Sequence, residues 1–118
     1  MTLNRGDVGL AGFPHTAGAR GKKRPVVVVQ ADAYQQSLRH VVVAEITRNL
    51  ALASDPAGFL IDISTPDGKA TGLLTDSVVT GVLIATIDVD RVDRVIGRLS
   101  TTMLQQLEAC LKAALGIP

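Results

Sequence analysis

Arg20, Lys22, Lys23 and Arg24 fall within five residues and run directly into Pro25 and four valines. The first three cations lie in a stretch punctuated by Pro14, Gly18 and Gly21, which reads as a loop. Cations on loop backbone act as diffuse attraction, screened by salt. Arg24 stands apart because it ends the loop at the mouth of an apolar run, where Pro25 and the valines fix its backbone. A guanidinium offers five donors in a rigid fork that suits phosphate oxygens. The segment therefore reads either as an anion-binding loop or as a solvated loop whose charges keep the protein soluble.

Other reactive side chains are few. His15 lies in the basic loop, within reach of whatever that loop binds, and His40 begins a strand-like run. Two histidines are the acid and base of one type of ribonuclease, although His40 reads better as a surface residue at a strand end. Thr47 closes "VVVAEIT", where a β-branched hydroxyl is unremarkable by itself. The spacings of a zinc protease, a serine-hydrolase elbow and a phosphate-binding P-loop are all missing. Asp88, Asp90 and Asp93 resemble half a calcium loop without its glycine and terminal glutamate, so they read as a solvated turn. Cys110, the single cysteine, falls in an apolar helical pattern and reads as a small buried thiol. No metal and no cofactor is expected.

Composition limits what these residues serve. A chain of 118 residues, 47% of them hydrophobic, is expected to form one domain over 1–118 with a single core. With no long apolar run and no signal-like N-terminus, a cytoplasmic location is expected. The net charge of +1 conceals an asymmetry: residues 1–48 carry seven Lys/Arg against three acids, and the remainder carries five against eight. A basic half points to a localised anion-facing surface. Only Phe13, Tyr34 and Phe59 are aromatic, which disfavours a binder that stacks many bases.

The elements that must hold these residues are mostly strands. "DVGLAGF" carries Val8 and Leu10 in alternation, and "PVVVVQ" is apolar on both faces and reads as a central strand. Arg39–Thr47 and Phe59–Ile63 read as two more strands, separated by a loop through "NLALASDPAG". "STPDGKATG" reads as a turn cluster, "DSVVT" and "VLIATI" as two short strands broken at Gly81. "DVDRVDR" reads as turns and "VIGRL" as a last strand. The period then changes: Met103, Leu104, Leu107, Leu111, Ala114 and Leu115 share one helical face. Ser100 or Thr102 can cap its start, and Gly116 and Pro118 stop it. The pattern predicts a mostly β fold, a small antiparallel barrel with one C-terminal helix.

Four segments, in order along the chain, resemble one family. "RGDVGLAGFPHTAGARGKKRPVVVVQAD" is similar to the opening of the MazF/PemK toxin ribonucleases, with its R-G-[DE]-[IV] strand, basic glycine-containing loop and R-P-[VA]-[VL]-V. "VVVAEITRN" resembles their apolar strand ending in [IV]-T-[SR], and "TGLLTDSVV" their L-x-x-D-S-V. "TIDVDRVDRVIGRLSTTMLQQLEACLKAALGI" resembles their I-x-R-L-S and closing helix.

The resemblance implies a compact SH3-like antiparallel barrel of the PemK/CcdB type with a C-terminal helix, in a homodimer. It implies metal-independent cleavage of single-stranded RNA, such as mRNA, at preferred sequences, leaving 2′,3′-cyclic phosphate and 5′-hydroxyl ends. It further implies inhibition by a cognate antitoxin. The catalytic arginine and threonine of the family fall on Arg24 and Thr47. The Pro14–Lys23 loop corresponds to the family's mobile loop, which makes His15, Thr16, Arg20, Lys22 and Lys23, with Arg48 beyond Thr47, the expected RNA contacts. One segment departs: Val82, Leu83 and Ala85 replace an acid, an amide and an arginine that contact RNA or the dimer partner in other members. The competing reading is a CcdB-like toxin of the same barrel type that poisons a protein such as gyrase without cutting RNA.

Overall fold

The computed structural model describes residues 2–12, 23–35 and 37–118. Strand β1 (Asp7–Ala11) and strand β2 (Arg24–Val28) pair antiparallel, with Val8 opposite Val27 and Ala11 opposite Arg24. Strand β3 (His40–Thr47) pairs with the other edge of β2, with Val26 opposite Glu45 and Val28 opposite Val43. Strand β2 is thus central, and Val26, Val27 and Val28 are all buried. Alternation sends them to opposite faces. Val27 joins a core with Phe59, Ile61 and Leu107, while Val26 and Val28 join a second with Val41, Val43 and Ile87. The apolar run on both faces is explained by two cores where one was expected. Val29 and Gln30 lie just past the strand, and both donate their N–H to the Val42 carbonyl.

Strand β4 (Gly58–Ile61) ends earlier than the apolar pattern suggests. The Asp62 carboxylate turns the chain instead, accepting from the Ser64 N–H at 2.9 Å and its hydroxyl at 2.7 Å. These bonds hold the Asp62 carboxyl below its ordinary pKa. The expected turn cluster then contains a short helix, α1 (Pro66–Ala70). Thr65 caps it by accepting from the Gly68 N–H at 3.0 Å, and Pro66 occupies the first turn, where its missing donor costs nothing.

Strand β5 (Ser77–Asp88) is one strand, not two. Its register with β3 shifts at Gly81: Glu45 faces Thr80, whereas Ala44 faces Ile84. The additional residues form an irregularity that bends the strand without ending it. Gly81 serves close approach there, since a Cβ would lie 2.9 Å from the carbonyl oxygen of Cys110 in the terminal helix.

The acidic stretch expected to be all turn is a 3-10 turn over Val89–Arg91, capped by Asp88. Strand β6 (Val92–Arg98) follows, longer at its start than predicted. It pairs with β1, which sets Val92 opposite Ala11 and Arg94 opposite Leu10. Helix α2 (Thr101–Leu115) is capped by Ser100, whose hydroxyl accepts from the Met103 N–H, and not by Thr102. Met103, Leu107 and Cys110 are buried on the sheet, and Leu104 and Leu111 are partly covered. Leu115 is exposed, so the apolar stripe stops just short of the helix end. Gly116, at φ 70°, forms the left-handed cap.

The six strands form one antiparallel sheet in the order β4-β5-β3-β2-β1-β6. Strands β4 and β6 end that order, and the hydrogen bonds define a six-stranded antiparallel sheet with a C-terminal helix. No described helix is long and apolar enough to cross a membrane.

Candidate active site

Each neighbouring pair on β2 and β3 keeps one register: Val26 with Glu45, Val27 with Ala44, Val28 with Val43. That pairing ends at Val26 and Glu45; two residues further along each strand in the same direction stand Arg24 and Thr47, which line one cleft. Two residues with 22 between them in sequence thereby become neighbours. Both sit on paired strands, so their backbones are fixed before any ligand arrives.

They border a cleft of about 410 Å³. Arg24 and Thr47 come to it from β2 and β3, joined by Lys23 just before β2 and Arg48 just past β3. Leu73, Leu74 and Thr75 line it from the loop between α1 and β5, and Arg94 and Ile96 line it from β6. The loop is pressed onto β6: Gly72 has φ 77°, and a Cβ there would collide with the Ile96 carbonyl. Only glycine tolerates both conditions. Leu74, beyond it, is 90% exposed. Among the described residues, four cations line the cleft and no carboxylate does.

Arg24 is half-buried, and its Nε is fully buried with no hydrogen-bond partner among the described residues. A buried donor left unsatisfied costs about 1–3 kcal/mol, and the described residues supply no acceptor for this one. The Thr47 hydroxyl accepts from the Asn49 N–H at 3.2 Å, which orients it at the strand end and leaves its proton for another acceptor. Together these groups present fixed donors to a phosphate beside an apolar wall.

Of the residues singled out in the sequence, the structure brings Lys23, Arg24, Thr47 and Arg48 together. His15, Thr16, Arg20 and Lys22 lie outside the described residues. His40 is exposed at the opposite end of β3 from Thr47. The seven intervening steps of about 3.4 Å put it about 24 Å away. Asp88 and Asp90 bind Arg39, at 3.8 and 2.6 Å, which fits a surface turn. Cys110 is buried, and burial, followed by the charge of Asp55, raises its thiol pKa. Val82, Leu83 and Ala85 lie outside the cleft: Val82 is exposed, and the other two pack against the second core. Sequence reasoning missed Arg94 and the Leu73–Thr75 wall. The alternation of Val92, Arg94 and Ile96 was the available signal, obscured by the acids around it.

The sequence pattern of the PemK-like, MazF-like toxins of type II toxin–antitoxin systems matches residues 4–115. The chain is 32% identical to Endoribonuclease MazF6 of Mycobacterium tuberculosis, covering 99% of this chain and 100% of the relative. It is 31% identical to Endoribonuclease EndoA of Bacillus subtilis, covering 99% and 97%. Among solved structures, the Mycobacterium tuberculosis toxin MazF-mt6 superposes with a TM-score of 0.76 at 23% identity, over 95% of this chain and 98% of that one. A mycobacterial endoribonuclease in complex with its cognate antitoxin gives 0.74 at 21% identity, over 98% and 97%. These structures share the overall fold found here. The chain therefore belongs to the PemK-like, MazF-like family of type II toxin–antitoxin toxins.

Proposed function

We propose that this toxin is an endoribonuclease that cleaves single-stranded RNA at the cleft between Arg24 and Thr47, without a metal ion. RNA carries its own nucleophile, the 2′-hydroxyl. Attack on the adjacent phosphorus breaks the bond to the 5′-oxygen and leaves a 2′,3′-cyclic phosphate and a 5′-hydroxyl. The step requires a proton taken from the 2′-oxygen, a proton given to the leaving oxygen, and stabilisation of charge on the phosphoryl oxygens. Arg24 fits the last role, because its donors are held in place before charge develops. Thr47 fits the positioning of the phosphate or the 2′-hydroxyl by hydrogen bond.

Arg24 is not the proton carrier in this scheme, since a guanidinium keeps its proton in proteins. The described lining of the cleft holds neither histidine nor carboxylate. Proton transfer therefore falls to water or to the segment 13–22, in which His15 is the titratable candidate. The same segment, with Thr16, Arg20 and Lys22, is proposed as the salt-sensitive attractor for RNA and for an acidic part of a cognate antitoxin. Residues 1–118 are read as one toxin domain, acting as a homodimer in the cytoplasm.

The observation that carries this reading is the meeting of Arg24, with its unsatisfied buried Nε, and Thr47 at one cationic cleft. The test is incubation of the purified protein with mixed-sequence single-stranded RNA in EDTA, with the ends of the fragments mapped. Cleavage to 2′,3′-cyclic phosphate and 5′-hydroxyl ends is expected. Intact RNA together with inhibition of gyrase would instead establish the CcdB-like reading.

A further inference from the structure

The fold neutralises some of its arginines. Arg5 reaches Glu108 at 3.3 Å, and Arg39 lies between Asp88 and Asp90. Arg94 is different: it is exposed on β6, lines the cleft, and has no ion-pair partner among the described residues. Its position follows from pairing. Arg94 faces Leu10 on β1, and Leu10 faces Pro25 on β2. Arg94 is thus two strands, about 9–10 Å of backbone, from Pro25, the residue after Arg24. An apolar floor that includes Leu10, Leu73 and Ile96 shares the cleft with them.

We propose that Arg94 is a substrate-binding residue that grips an RNA phosphate flanking the one held at Arg24; the assignment rests on the nuclease reading above. Because both arginines line the same cleft as this floor, a nucleoside resting on it would carry one phosphate toward Arg24 and the next toward Arg94. Apolar side chains can seat a base by contact, and the described lining of the cleft holds no aromatic ring to stack on. Such a contact adds affinity in the ground state and the transition state alike, so it acts on KM and not on kcat. Arg24, by contrast, acts where charge develops.

The test is fluorescence anisotropy with a labelled, mixed-sequence 2′-O-methyl RNA, which lacks the attacking hydroxyl, titrated from about 50 to 200 mM salt. Each phosphate contact on a single strand contributes about 0.7 to the slope of log affinity against log salt. Arg94→Gln is expected to reduce that slope by about 0.7 and to weaken binding about fivefold at about 0.1 M salt. Arg94→Lys, which keeps the charge, is expected to retain the wild-type slope. On cleavable RNA, Arg94→Gln is expected to raise KM with kcat unchanged. If wild type cuts RNA but Arg94→Gln keeps its slope and KM, the assignment of Arg94 is overturned and the nuclease reading stands. If wild type neither binds nor cuts RNA, both are overturned.

Discussion

The two ends of β3 carry similar residues in different settings. At one end Arg39 precedes His40; at the other Arg48 follows Thr47. Arg39 is held by Asp88 and Asp90, and the nearby pocket is apolar, formed by Val29, Tyr34, Leu38 and Val42. Arg48 opens onto a cleft that it shares with Lys23, Arg24 and Arg94 and, among the described residues, with no acid. Local sequence does not distinguish the two arginines. Register does, because β5 delivers Asp88 opposite His40 but Val78 opposite Thr47. A cation becomes available to a ligand when the strand beside it supplies nothing to neutralise it.

The contrast can be broken most strongly at Arg24. Arg24→Ala is expected to lower kcat by about 10²–10³, the usual loss for one preorganised donor at a developing oxyanion. Arg39→Ala should stay within about twofold, since an exposed ion pair contributes little. Steady-state cleavage of one RNA by both variants checks the pair. At the partner position, Thr47→Val is expected to lower kcat about tenfold, the equivalent of one hydrogen bond to a charged group. Thr47→Ser, which keeps the hydroxyl, should recover most of that loss.

Smaller effects concern the scaffold. Gly81→Ala puts a Cβ against the Cys110 carbonyl, and a cost of about 1–3 kcal/mol is expected in urea unfolding. The burial that raises the Cys110 pKa favours the protonated thiol. The folded protein should therefore react slowly with iodoacetamide at mildly alkaline pH and readily once unfolded. Because the raised pKa belongs to the folded state, any stability linked to this proton is present below the thiol's ordinary pKa and lost as pH rises through the raised one.

Legibility followed the range of the interactions. The β2 valines, the rigid position of Arg24 and the helix face at Met103 and Leu107 depend on neighbours in sequence, and alternation or helical period displays them. Thr47 was recognisable only through motif resemblance, because its relation to Arg24 is created by pairing across β2 and β3. Arg94 was hidden further. Its partner strand lies at the other end of the chain, and Asp90 and Asp93 disguise the strand that carries it as a polar turn. The short helix at Pro66 was concealed by glycine and proline, which mark turns and helix starts alike. The second core had no signal beyond the valines themselves, since an apolar run does not say what covers each face.

The measurement that tests the central claim most directly is photo-crosslinking of a 2′-O-methyl RNA carrying 4-thiouridine, with the linked peptides mapped by mass spectrometry. Crosslinks are expected at the Thr47 end of β3, in Thr47–Arg48 and the Leu73–Ser77 loop. Crosslinks confined to the Tyr34–His40 end would contradict the account.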